Sequence, residues 1–156
     1  NNAYDYVHER VVRALLARTA GDLDAAIAHA HRARQEAEGR EFVSFRLFAT
    51  AIEAASRVQR GDIKMGESLA LAALNAALAM EGSEFGLEVH ALCAEALERA
   101  GSREASRARV LAASHARRIL AMTRDARLRS LFRSRPLVVR LLGEADMVGR
   151  LRGADA

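Results

Sequence analysis

The sequence predicts an all-α fold, and three observations carry that prediction. Alanine, leucine, glutamate and arginine, the strongest helix formers, dominate its 156 residues, and no segment alternates β-branched with polar residues as a strand would. The only proline is Pro136, and the glycines stand largely where helices would end. Third, Gly21, Gly61 and Gly101 are spaced 40 residues apart, each followed by a good helix-capping residue, Asp22, Asp62 and Ser102. Ala14, Ala54 and Ala94 keep the same register before the glycines, as do Ala33, Ala73 and Ala113 after them. One period in three units marks a helical repeat.

The elements follow in order. Helices are expected near residues 4–20, 22–38, 41–60, 63–81, 84–100 and 103–122, with shorter ones near 125–134 and 137–150. They pair as three hairpins, units 4–40, 41–82 and 83–122, closed by a capping tail at 123–150, in one domain spanning 1–156. In each hairpin the first helix ends at the glycine, which tolerates a left-handed conformation, and the second starts at the capping residue beside it. The stretch AGDLDAAIAHAHRA (20–33) places alanines where larger side chains would hold two helices apart, so a neighbour packs closely there. The third helix carries Phe42, Phe45, Phe48, Ile52, Ala55 and Val58, a wider apolar arc than a surface helix needs, as befits a central position. Pro136 suits the first turn of a new helix with Leu137, Val138, Leu141 and Leu142 on one face. The tail from 125 to 142 should therefore fold back over the third hairpin, with fraying beyond Gly149.

Composition narrows the function. No run of about eighteen apolar residues suits a membrane span, and the N-terminus has no signal-peptide pattern. Cys93 is the only cysteine, so an internal disulfide is excluded and a cytoplasmic setting is favoured. HERVV (8–12) lacks the second histidine of a zinc-protease HExxH, His29 and His31 diverge on a helix, and His90 and Cys93 find no further ligands nearby. With no phosphate loop and no nucleophile elbow, no catalytic residue, metal or cofactor is expected. The formal net charge of +4 is uneven. Residues 1–102 carry 11 basic and 15 acidic side chains, whereas 103–156 carry 13 arginines and 5 acids.

GDLDAAIAHAHRA resembles the second half of a tetratricopeptide repeat: a Gly-Asp turn, then small residues at Ala26, Ala30 and Ala33. The second unit places Gly66, Ala70 and Ala73 at these positions and the third Ser106, Val110 and Ala113, while the first-helix signature has alanine where the family often has glycine, and no tryptophan. The 40-residue period is similar to the long-helix repeats of bacterial maltose-type transcriptional activators and signal-transduction ATPases, so the chain reads as a piece of a larger regulatory protein. The resemblance implies a right-handed superhelix whose first helices line a concave groove. Carried over residue by residue, the groove falls on His8, Val11, Leu15, Arg18 and Thr19, then Phe48, Ala51, Ala55, Val58 and Gln59, then Glu88, Ala91, Glu95, Glu98 and Arg99. It would be apolar in the middle and acidic toward the third unit. The Asn/Lys carboxylate clamp of the best-known relatives is missing, so an apolar or basic peptide or helix is the implied ligand. Phe48 and Val58 could equally be core between repeats.

Two functional readings result. The first is a non-catalytic module that binds a protein segment or senses a ligand in the groove, with a homodimer through the repeat ends as a further option. The second is binding of nucleic acid or an acidic partner through the arginine-rich end, with Arg124, Arg127, Arg129 and Arg133 at its centre. Phe132 is the only aromatic there that could stack on a base, which weighs against nucleic acid.

Overall fold

The computed structural model describes residues 2–80 and 84–143, and among them the regular structure is entirely α-helical. The helices are α1 (Ala3–Thr19), α2 (Leu23–Glu38), α3 (Val43–Arg60), α4 (Ile63–Leu78), α5 (Gly86–Arg99), α6 (Ala105–Met122) and α7 (Ala126–Arg133), followed by α8 (136–143). The expected ends at 81 and 144–150, and the fraying beyond Gly149, lie outside the described residues.

Helices α1 and α2, α3 and α4, and α5 and α6 form hairpins. Between hairpins α2 packs on α3 and α4 on α5, and α3 also touches both α1 and α5. One hydrophobic cluster runs through all three, from Val7 to Leu141.

The periodic glycines build the same turn three times. Gly21, Gly61 and Gly101 have φ of +83°, +101° and +66°. Their amides donate to the carbonyls of Arg18, Val58 and Glu98, and the next amides donate to Ala17, Arg57 and Leu97. This double closure satisfies carbonyls that the end of a helix leaves open. The turn between α2 and α3 copies it without glycine: the amides of Glu41 and Phe42 donate to Glu38 and Ala37, with Glu41 at φ +58°.

The capping residues diverge. Asp22 caps α2 by accepting from the Ala25 amide at 3.0 Å. The Asp62 carboxylate makes no cap bond and accepts from Arg57 at 2.9 Å instead. After Ser102 the chain makes an extra turn before α6 begins, which shifts the buried face to Ala108, Ala112, Ala113 and Ala116. Ser106 and Val110 are consequently exposed, and the tetratricopeptide-like pattern of small residues loses its register there.

The alanines of α2 do lie in contact. Ala26, Ala30, Ala33 and Ala37 are buried, as are Gly66, Ala70, Ala73 and Ala77 of α4. At Gly66 the helices are closest: a Cβ there would meet Val58 Cγ2 and lie 2.9 Å from the Ala54 carbonyl oxygen and the Val58 amide nitrogen.

Helix α3 buries twelve of its eighteen residues, in keeping with a central position. One of them is charged. Glu53 is 1% exposed and accepts from Arg34 Nε of α2 at 3.1 Å and from Arg57 Nε at 2.9 Å. Arg57 continues to Asp62 at the start of α4, so one buried carboxylate ties three helices together. Against the burial of Arg57, the hydrogen bonds it donates to Glu53 and Asp62 hold its guanidinium above its ordinary pKa.

An aromatic chain crosses the units at one end. Tyr4 meets Phe45 edge-on at 4.9 Å, Phe45 lies 5.1 Å from Phe85, and Phe85 stacks on Phe48 at 4.8 Å. The tail returns to the third hairpin chiefly through α8, which buries Val138 and Leu141, while α7 buries no residue at all. Among the described residues no helix is long and apolar enough to cross a membrane.

Candidate partner-binding groove

The first helices of the three hairpins supply one continuous wall. Leu15 and Arg18 of α1, Phe48 of α3, and Glu88, Ala91, Leu92 and Glu95 of α5 line a pocket of about 260 Å³. Leu137 and Arg140 of α8 form its other side. An adjoining pocket of about 290 Å³ is lined by Glu95, Glu98, Arg99, Arg109, Arg140 and Leu141, among others. The walls are apolar at Phe48, Leu15 and Leu137 and charged at the edges.

Every acid expected in the groove has an arginine. Arg18 donates to Glu95 across 77 residues of sequence, linking the first hairpin to the third. Arg99 also reaches Glu95, at 3.3 Å. Arg109 of α6 pairs with Glu98 and Arg135 with Glu88, the latter at 3.0 Å. The acidic end expected of the groove is thus covered by the chain's own guanidinium groups. The Nε atoms of Arg18 and Arg109 are buried without a hydrogen-bond partner among the described residues. Donors so placed are costly to leave unmade.

The expected groove residues separate into three groups. Arg18, Phe48, Glu88 and Glu95 converge on the first pocket, and Glu98 and Arg99 on the second. His8 is exposed at the aromatic end, with its ring 5.9 Å from Phe45. Val58 is buried under Gly66 and Gln59 is exposed, and neither lines these two pockets. Phe48, only 6% exposed, is both core and pocket wall.

Arg124, Arg127, Arg129 and Arg133 are all exposed along α7 and the turn before it. Arg129 folds back to donate twice to the Thr123 carbonyl, at 2.9 and 2.7 Å. Leu128 and Leu131 are exposed beside these arginines.

Sequence reasoning missed Arg109 and Leu92 as parts of the site. The 3.6-residue period offers a signal for Leu92, one position after Ala91 on the same wide face. It offers none for Arg109, whose role depends on where α6 begins.

Other reactive groups are committed elsewhere. Burial pushes the Cys93 thiol up to about 12, which removes it as a nucleophile at neutral pH. His90 Nδ1 is 2.7 Å from the Gly86 carbonyl oxygen, and among the described residues no three histidines, cysteines or acids gather as metal ligands. Compared with protein-family models, curated proteins and solved structures, the chain matches none.

Proposed function

We propose that the chain is a non-catalytic helical-repeat module, a tetratricopeptide-like right-handed superhelix that serves as the regulatory segment of a bacterial transcriptional activator or signalling protein. Its groove takes a protein segment. The observation that carries this reading is the pocket shared by α1, α3 and α5 and faced by α8. Helix α8 is an internal example of what the groove accepts: aliphatic Val138 and Leu141 seated inside, with Arg135 on Glu88. A partner of the same chemistry, an amphipathic helix with a basic edge, takes the place of α8, and Glu88 exchanges Arg135 for the partner's cation.

The test uses a fluorescein-labelled peptide of residues 134–143 and the full chain carrying Val138→Asp and Leu141→Asp, which releases α8. The peptide should bind this chain and fail to bind when Glu88→Arg and Glu95→Arg are added. Binding that ignores the two reversals would remove the groove from the proposal.

The exposure of Arg124, Arg127, Arg129 and Arg133 favours a second reading, docking of nucleic acid or an acidic partner on α7. Duplex DNA titrated across a salt series separates the two. A steep salt slope that flattens in an Arg124→Ala/Arg127→Ala/Arg129→Ala variant supports the arginine face, and no binding leaves the groove alone.

A further inference from the structure

A second depression shares no lining residue with the groove. It lies between the end of α4, the start of α5 and the middle of α6, and has a volume of about 260 Å³. One wall is apolar, with Leu78, Met80 and Leu111, and the other carries His90, Ser114, His115 and Arg118.

The polar wall sets the donors Ser114 and Arg118 beside two imidazoles. His90 is 5% exposed, and its Nδ1 faces the Gly86 carbonyl, which can only accept, so Nδ1 carries the hydrogen and Nε2 of the neutral ring is an acceptor. His115 stacks on it, with ring centroids 5.0 Å apart and planes within 18°. Ser114 and Arg118, at i and i+4, share one face of α6, and His115 lines the depression beside them, so a hydroxyl, a guanidinium and an imidazole meet there. Among the described residues no carboxylate lines the depression and Arg118 has no carboxylate partner. Other guanidinium groups of the molecule, Arg18, Arg34, Arg57, Arg109 and Arg135 among them, are paired with acids.

We propose that this depression binds a small organic oxyanion, a carboxylate or phosphate on a short apolar body. Arg118, Ser114 and His115 hold the oxyanion, and Leu78, Met80 and Leu111 cover the body. An arginine fork matches either anion, and His115 adds charge when protonated.

The electrostatics agree. His115 is held below its ordinary pKa first by burial, then by the fields of His90 and Arg118, with Glu88 opposing them. Glu88 is itself engaged by Arg135, and among the described residues α4 and the chain just after it contribute Ala77, Leu78 and Met80, none of them charged, to the depression. An oxyanion beside Arg118 reverses the local field, draws a proton onto His115 and is therefore held more tightly as the pH falls.

The proposal is tested on the full chain by following the imidazole NMR signals of His90 and His115 during titration with benzoate at constant ionic strength. Expected is a saturable shift of both rings that strengthens from about pH 7.5 to about pH 6 and weakens about tenfold in Arg118→Ala, whose exposed side chain can be removed without unfolding the protein. Arg124→Ala should leave it unchanged. No saturation up to about 50 mM, or equal weakening by the two arginine variants, would overturn the site. Benzyl alcohol producing the same shift would overturn the oxyanion assignment. Inorganic phosphate binding as tightly as benzoate would overturn the role given to the apolar wall.

Discussion

At the scale of single residues, two backbone positions carry testable consequences. Gly66 sits where α3 and α4 touch, and a methyl group there meets Val58 and two backbone atoms that cannot move aside. Gly66→Ala should lower stability by about 1–3 kcal/mol despite the better helix propensity of alanine, as read from urea unfolding. Glu41 presents the opposite case: it holds φ +58° at a turn that elsewhere uses glycine. Relief of the left-handed strain exceeds the entropy that glycine loses, so Glu41→Gly should raise stability by about 0.5–1 kcal/mol in the same assay. A lower urea midpoint for this variant would show that the carboxylate contributes more than the strain costs. The glycine turns were legible in the sequence because a left-handed residue has one strong preference. Glu41 was not, because its conformation follows from the turn that the neighbouring helices impose. Glu53 was hidden for a similar reason: a glutamate in a helix reads as solvated until the arginines of α2 and α3 are placed around it.

At the scale of elements, the eight helices were readable from periodicity, and the stacking of small residues along α2 and α4 from their alanines. The start of α6 was not, since the extra turn after Ser102 depends on local hydrogen bonding that many sequences share. That turn changes which side of α6 is buried, so the third unit departs from the pattern of the first two. Arg18, Phe48, Glu88 and Glu95, expected on one face, do line one pocket, and the return of the tail to the third hairpin was expected from the apolar face of Leu137, Val138, Leu141 and Leu142, whereas the contact of α8 with this pocket depends on tertiary packing. Val138 and Leu141 close an apolar face that α5 would otherwise expose. Truncation after Met122 should therefore produce dimers or aggregates in size-exclusion chromatography. A soluble monomer would show that α8 is dispensable as a cap. Helix α7, with nothing buried, contributes little to this closure.

At the scale of the whole molecule, proton linkage has a definite sign. His29 is held below its ordinary pKa by burial and by Arg10, Arg13 and Arg32 against Asp22, and His115 is lowered by its own surroundings. The unfolded chain takes up these protons more readily than the folded one, so stability is complete above about pH 6.5 and declines as the pH falls toward the depressed folded values. The urea midpoint should be lower at about pH 5.5 than at about pH 7.5, and a His29→Gln/His115→Gln variant should show a smaller difference. An unchanged difference in that variant would place the titration elsewhere.

The ion pair between Arg18 and Glu95 spans the middle hairpin and joins the outer two. A chain of stacked hairpins pulled from its two ends normally yields like a spring, one coil after another. Here the first and last coils are latched to each other while Glu53 pins the middle one to the first. Force applied at the termini therefore loads the latch before it loads any hairpin. The molecule should resist extension until that contact gives way and then release as one body.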